Sequence, residues 1–172
     1  MKQSKDDINR WLARLGEGTR LDDRLNCYLQ GRSGQRVMLT LSADHRYLLF
    51  YCPLLPLHGR HRSLLMEEAL GLNLYQSIAI KGTLGFDEQN RMLAYTFVSD
   101  LGDDSVPSSA SELWDRQLTD VMDNADMLAA RFQRLLEMAD AAPEPSSHRN
   151  LSPQQGTPLL GPQFRESPNG HN

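Results

Sequence analysis

Between Ser63 and Tyr75 the chain reads SLLMEEALGLNLY. Only Glu67, Glu68, Gly71 and Asn73 interrupt Leu64, Leu65, Met66, Ala69, Leu70, Leu72, Leu74 and Tyr75. Ser63 is suited to cap a helix running to about Tyr75. A helix that is apolar nearly all round must be buried on more than one side. In a domain this small the chain's own sheet covers one side. The other is expected to meet a second copy of the chain, because a symmetric pair is the commonest way to bury such a face.

Periodicity places the remaining elements around this helix. Ser4 and Asp7 form a capping box, and Ile8, Trp11, Leu12 and Leu15 follow at helical spacing before Gly16. Three strand-like runs come next. Leu25, Cys27 and Leu29 alternate with Asn26, Tyr28 and Gln30, and Val37, Leu39 and Leu41 alternate with Met38, Thr40 and Ser42. Tyr47–Leu55 is apolar on both faces, with Pro53 and Pro56 expected to end its ladder. After the apolar helix, a hairpin places Ile78, Ile80, Leu84 and Phe86 on one face, turns at Asp87–Asn90 and returns over Met92–Ser99. Ser109 and Glu112 then open a long helix, about 110–139. Its stripe is Trp114, Leu118, Val121, Ala125, Leu128, Phe132 and Leu135. The order α-β-β-β-α-β-β-α predicts an α+β fold with a twisted antiparallel sheet.

The domain is expected to stop at residue 142. Six of the nine prolines lie in 143–172, with Leu151, Leu159, Leu160 and Phe164 as the apolar side chains there. Such a segment buries too little to offset its ordering entropy, so 143–172 reads as a disordered Pro-rich tail. With 18 basic and 22 acidic residues the net charge is −4. This argues against nucleic acid as the main partner, which needs a basic face. No apolar stretch is long enough to span a membrane, and the N-terminus lacks a signal-type apolar run. The two cysteines, Cys27 and Cys52, are too few for a disulfide framework and read as reduced thiols in a cytoplasm.

Catalytic patterns are missing. The sequence contains no GxSxG, GxxxxGK[ST] or HExxH. Cys52, His58 and His61 are too loosely spaced for a metal site and lack a fourth ligand close by, so residues 57–62 read as a solvated basic loop. Asp22-Asp23 and Asp103-Asp104 read as turn acids. No cofactor, metal or enzymatic activity is expected. What stands out is apolar surface in excess of the chain's size, which marks a binding module. A free sheet edge and a groove beside the first helix would suit an extended peptide.

A chain of motifs then resembles the class I type III secretion chaperones, the Tir-chaperone-like family. Leu21-Asp22-Asp23-Arg24-Leu25-Asn26-Cys27-Tyr28-Leu29 is similar to the family's L-D-x-x-G-x-C-x-L, with Leu25 where glycine is common. Leu54-Leu55-Pro56-Leu57, Leu70-Gly71-Leu72-Asn73-Leu74, Gly82–Asp87 with Leu93-Ala94-Tyr95, and Ser111-Glu112-Leu113 continue the likeness over roughly residues 5–140. The tail has no counterpart, and the pI of 5.7 is milder than the family's habit.

The resemblance implies a cytoplasmic bacterial homodimer without catalysis. It implies binding of the extended N-terminal segment of one or more effectors, which are kept soluble and presented to the export ATPase. Leu65, Leu70, Leu72 and Leu74 are the expected dimer contacts. Ile8, Trp11, Leu15, Leu29, Val37 and Leu49 are the expected effector groove. Two alternatives stand beside this reading. One is a regulatory binding protein of the same fold that sequesters a transcriptional activator or secretion gatekeeper. The other is a small enzyme using Cys52, His58 and His61.

Overall fold

Alternation along each strand fixes which side of the sheet is buried. In the computed structural model, which describes residues 5–75, 81–102 and 110–141, the order follows the sequence reading. It runs α1 (Lys5–Leu15), β1 (Asn26–Gln30), β2 (Arg36–Leu41), β3 (Tyr47–Pro56), α2 (Arg62–Tyr75), β4 (Thr83–Asp87), β5 (Met92–Asp100) and α3 (Ala110–Ala141). The strands make one antiparallel sheet in the order β1-β2-β3-β5-β4. The chain divides at Ala142/Pro143, and the second unit, 143–172, lies outside the described residues. So do the caps Ser4 and Ser109, the hairpin residues Ile78 and Ile80, and the loop 103–108.

One sheet face is the core. Cys27, Leu39, Phe50 and Phe97 stand in a row across four strands, with the Phe50 and Phe97 rings 5.6 Å apart. Leu84, Tyr95 and Cys52 form the next row, and Phe86, Leu93 and Leu55 the one after. The α3 residues Trp114, Leu118, Val121, Ala125, Leu128 and Phe132 are buried in the same cluster. The seven-position stripe is therefore sheet-covering core, with Leu135 at its half-buried end.

Helix α1 is too short to be stable alone, and side-chain bonds fasten it to α3. Trp11 packs on Trp114 with ring centroids 5.5 Å apart. Its indole Nε1 donates to Asp115 Oδ1 at 2.7 Å, and Arg14 donates to Asp115 Oδ2 at 3.0 Å.

Two local expectations need correction. Pro53 does not end β3, which runs on to Pro56. The register shifts between Pro53 and Leu55, so Leu54 is the extra residue of a bulge and pairing with β5 resumes at Leu55–Leu93. In this ladder the missing N–H of Pro53 faces the β2 side, beyond the last β2–β3 pair, Met38–Tyr51. The Pro53 carbonyl there accepts from Gln35 Nε2 at 3.1 Å. Helix α2 begins at Arg62 rather than after Ser63, with the His61 carbonyl accepting from Leu65 N.

Candidate functional site

The second face of the sheet begins with the residues that alternate against the core. Tyr28, Met38, Tyr51 and Thr96 form one row across it, and Asn26, Thr40, Leu49 and Val98 another. Tyr28 is 72% exposed and Val98 53%, and the others are half-buried. This explains why β3 reads as apolar on both faces. It is the central strand, with Leu48, Phe50 and Cys52 in the core and Leu49, Tyr51 and Pro53 on a face its own helices leave accessible.

At one end this face dips into a shallow depression of about 880 Å³. Tyr28, Met38, Tyr51 and Pro53 line it, and Arg36 and Gln89 stand among its polar residues. The Tyr51 hydroxyl donates to Asp87 Oδ2 at 2.6 Å, and Asn90 donates to the same carboxylate from its backbone N and its Nδ2. These bonds, the Tyr51 one first, hold the Asp87 carboxyl down at about 2. Burial, and then the Asp87 bond, push the Tyr51 phenol well up. The wall of the depression is thus a fixed neutral phenol on a fixed carboxylate.

The backbone of β1 borders the same face. Leu41 N donates to the Leu25 carbonyl, and Gly31 N to the Gln35 carbonyl. Odd-numbered β1 residues therefore face β2, and the N–H and C=O of Asn26, Tyr28 and Gln30 point outward. Asp22 occupies the groups of Asn26: Asp22 N donates to the Asn26 carbonyl at 2.7 Å, and Asn26 N donates to Asp22 Oδ1 at 2.8 Å.

A second accessible surface lies on α2. Leu65, Ala69 and Leu72 are buried, while Leu70 is 61% exposed and Leu74 71%. The all-round apolar pattern thus divides into a core side and an uncovered side. Asn73 lies between them and bonds both backbone groups of Leu84 in β4, each at 2.8 Å.

The expected groove residues separate in the same way. Ile8, Trp11 and Val37 are buried in the core of the single chain. Each was selected by periodicity, which identifies an apolar face without saying what covers it. Leu15 is 42% exposed, and Leu29 and Leu49 are half-buried. Leu29 lies on the core face and Leu49 on the open face, on opposite sides of one sheet. Of the expected dimer contacts, Leu70 and Leu74 are accessible, and Leu65 and Leu72 are core. Tyr28, Met38, Tyr51 and Val98 escaped the sequence reading, although their apolar character in the nominally polar phase of β1, β2, β3 and β5 marks them.

The groups considered for catalysis are apart. Cys52 is buried on the core face, where burial pushes its thiol up to about 12. A thiol so protonated is a poor nucleophile and a poor metal ligand. Burial also raises the Cys27 thiol. His61 Nε2 lies 2.8 Å from Asp140 Oδ1 at the end of α3. Among the described residues no three His, Cys, Asp or Glu side chains gather as a metal site, and no helix is long and apolar enough to cross a membrane.

A one-sided antiparallel sheet with an accessible apolar face and an open backbone edge defines a protein-binding module. Residues 8–105 match the Tir chaperone protein (CesT) family. The chain belongs to that family. No curated protein matches the sequence. Solved structures share the fold at low identity. The ExsC–ExsE complex aligns with a TM-score of 0.59 and 19% identity, covering 73% of this chain and 93% of the other. The ExoU–SpcU complex from the type III secretion system of Pseudomonas aeruginosa gives 0.52 and 19%, covering 72% and 95%. The Yersinia pestis type III secretion chaperone SycH, in complex with a fragment of YscM2, gives 0.52 and 14%, covering 73% and 99%.

Proposed function

We propose that this chain is a type III secretion chaperone that binds the extended N-terminal segment of an exported effector. The observation that carries the reading is an apolar sheet face beside an open backbone edge, in a chain of the Tir chaperone family. Such a surface fits a segment without a fold of its own, whose backbone completes the sheet while alternate side chains bury. Leu15, Leu29 and Leu49 are the expected groove residues that a partner can reach, with Ile8, Trp11 and Val37 supporting them from the core. Leu70 and Leu74 form the contact with a second copy, held in place by Leu65 and Leu72 beneath. The protein acts in the bacterial cytoplasm without catalysis or cofactor and hands the effector to the export ATPase.

The test is affinity capture of the tagged full chain from its native bacterium under secretion-inducing conditions, read by mass spectrometry. One or a few exported proteins should be recovered in stoichiometric amount. Recovery should be lost when the N-terminal segment of that protein is deleted. Recovery of regulators that are never exported would replace the cargo reading with the sequestration of a regulator.

A further inference from the structure

Asp87 and Arg36 are the charged side chains lining the depression on the open face. They are matched very differently. Asp87 accepts from the Tyr51 hydroxyl and from Asn90 Nδ2 on Oδ2, and from Asn90 N on Oδ1. A carboxylate with three donors on it is already satisfied. It is also held from two sides, because Tyr51 stands on the central strand and Asn90 in the turn between β4 and β5.

Arg36 has no such match. Arg10, Arg14, Arg46, Arg60 and Arg131 each meet a carboxylate. Among the described residues the Arg36 guanidinium meets none, Asp87 included, and it makes no hydrogen bond. Alternation along β2 places Arg36 on the open face with Met38, because Val37 and Leu39 are buried on the other. Residues two apart on one strand face are separated by about 6.8 Å. The depression thus offers an apolar and aromatic floor of Tyr28, Met38 and Tyr51, with one unmatched cation beside it. A partner that packs on Tyr28 and Met38 also takes water from Arg36. Desolvating a charge is costly unless the newcomer supplies the opposite one. Asp87 does not supply it, since its oxygens are engaged by Tyr51 and Asn90. The planar guanidinium fork suits a carboxylate, which it can bind through two parallel N–H donors.

We propose that Arg36 is a specificity-determining residue of the open face, selecting partner segments that carry an Asp or Glu beside an apolar anchor. This rests on the chaperone reading above and adds to it a chemical requirement on the partner. The anchor packs on Tyr28 and Met38. In an extended segment that follows β2, the acid stands two positions from the anchor, the separation of Arg36 from Met38. A segment with the same apolar pattern but Lys or Arg at that position is refused, because it brings two cations together in a partly desolvated site.

The test uses the full chain and the exported protein recovered by the capture experiment. Arg36 is exposed, so Arg36→Gln should leave the thermal midpoint where it is. It should weaken binding by about tenfold, and Arg36→Glu by more. Arg32→Gln, which removes the same charge from the turn between β1 and β2 outside the depression, should bind as the unaltered chain does. Each Asp and Glu in the N-terminal segment of the recovered protein is then changed in turn to Asn or Gln. One such change should weaken binding to the unaltered chain by about tenfold and leave binding to the Arg36→Gln variant unchanged, the coupling that a direct contact requires. Replacing that acid by Arg should restore affinity for the Arg36→Glu variant. Full affinity in Arg36→Gln, an equal loss in Arg32→Gln, or the lack of any coupled acid overturns the assignment and leaves the chaperone reading standing. So does a change in the sedimentation of free Arg36→Gln with partner affinity unaltered, which would mark the face as a contact between two copies. Failure to recover any exported partner removes the chaperone reading and this assignment with it.

Discussion

Leu25 carries a left-handed backbone, with φ of 63°. The family's common glycine at that position has a physical basis in this turn, because a Cβ there costs roughly 1–2 kcal/mol. Leu25 recovers part of that by packing half-buried against the core. Leu25→Gly should therefore change unfolding stability by less than about 1 kcal/mol, because relieved strain offsets lost burial. Leu25→Val should be the worse variant by about 1–2 kcal/mol, since β-branching makes this φ an outlier. Urea unfolding of both variants checks the pair. The Tyr51–Asp87 bond gives a pH signature. A carboxyl held down at about 2 contributes stability that is complete above its ordinary range near 4 and disappears as the pH falls through 2. Tyr51→Phe should accordingly be less stable than the unaltered chain at pH 7, with the gap closing by pH 2 in urea titrations. The motif comparison made Leu25 legible as an exception. The Tyr51–Asp87 bond was not legible, because its partners are 36 positions apart and meet only across the sheet.

Helix boundaries were largely visible before the fold. The stripe from Trp114 to Leu135 marks α3, since one face meets the sheet along most of its length. The two faces of α2 were not separable, because Leu65 and Leu70 look alike until the positions of the sheet and of Asn73 are known. Pro53 misled for a related reason. A proline ends a ladder only if its missing N–H was needed, and here a bulge and an unpaired β2 side remove the need. The attachment of α1 is testable at this scale. Asp115→Ala removes the acceptor for both Trp11 and Arg14. It should cost about 2 kcal/mol, nearly all from the half-buried indole bond, since an exposed ion pair contributes little. Amide exchange should rise in α1 before it rises in the strands. On the other side of the sheet, Asn73→Ala leaves both outward groups of Leu84 without their side-chain partner. It should cost about 1–3 kcal/mol by thermal unfolding.

In the whole molecule, apolar surface is divided between what the chain buries and what it leaves for others. Ile8, Trp11 and Val37 fell on the first side and Leu15 and Leu49 on the second, and no spacing rule distinguishes them because each satisfies the same period. The fold was legible because order and periodicity constrain it together. The site was legible only as a class of surface, since exposure belongs to the assembled sheet. The double variant Leu70→Ser with Leu74→Ser tests the proposed pairing of two copies. It should sediment as a monomer with an unchanged circular dichroism spectrum, whereas the unaltered chain should sediment as a dimer. A persisting dimer would place the contact elsewhere.

The Asn73 contact on β4 also bears on how this sheet behaves in a crowded solution. In the language of step growth, a sheet with two reactive ends is a bifunctional monomer, and copies of it link without limit into fibres. With Asn73 closing the Leu84 position of β4, the single chain keeps one fully open end, at β1. The pair proposed above through α2 would carry two such ends, one on each copy. Growth is then set by how many copies associate rather than by how many edges each sheet has.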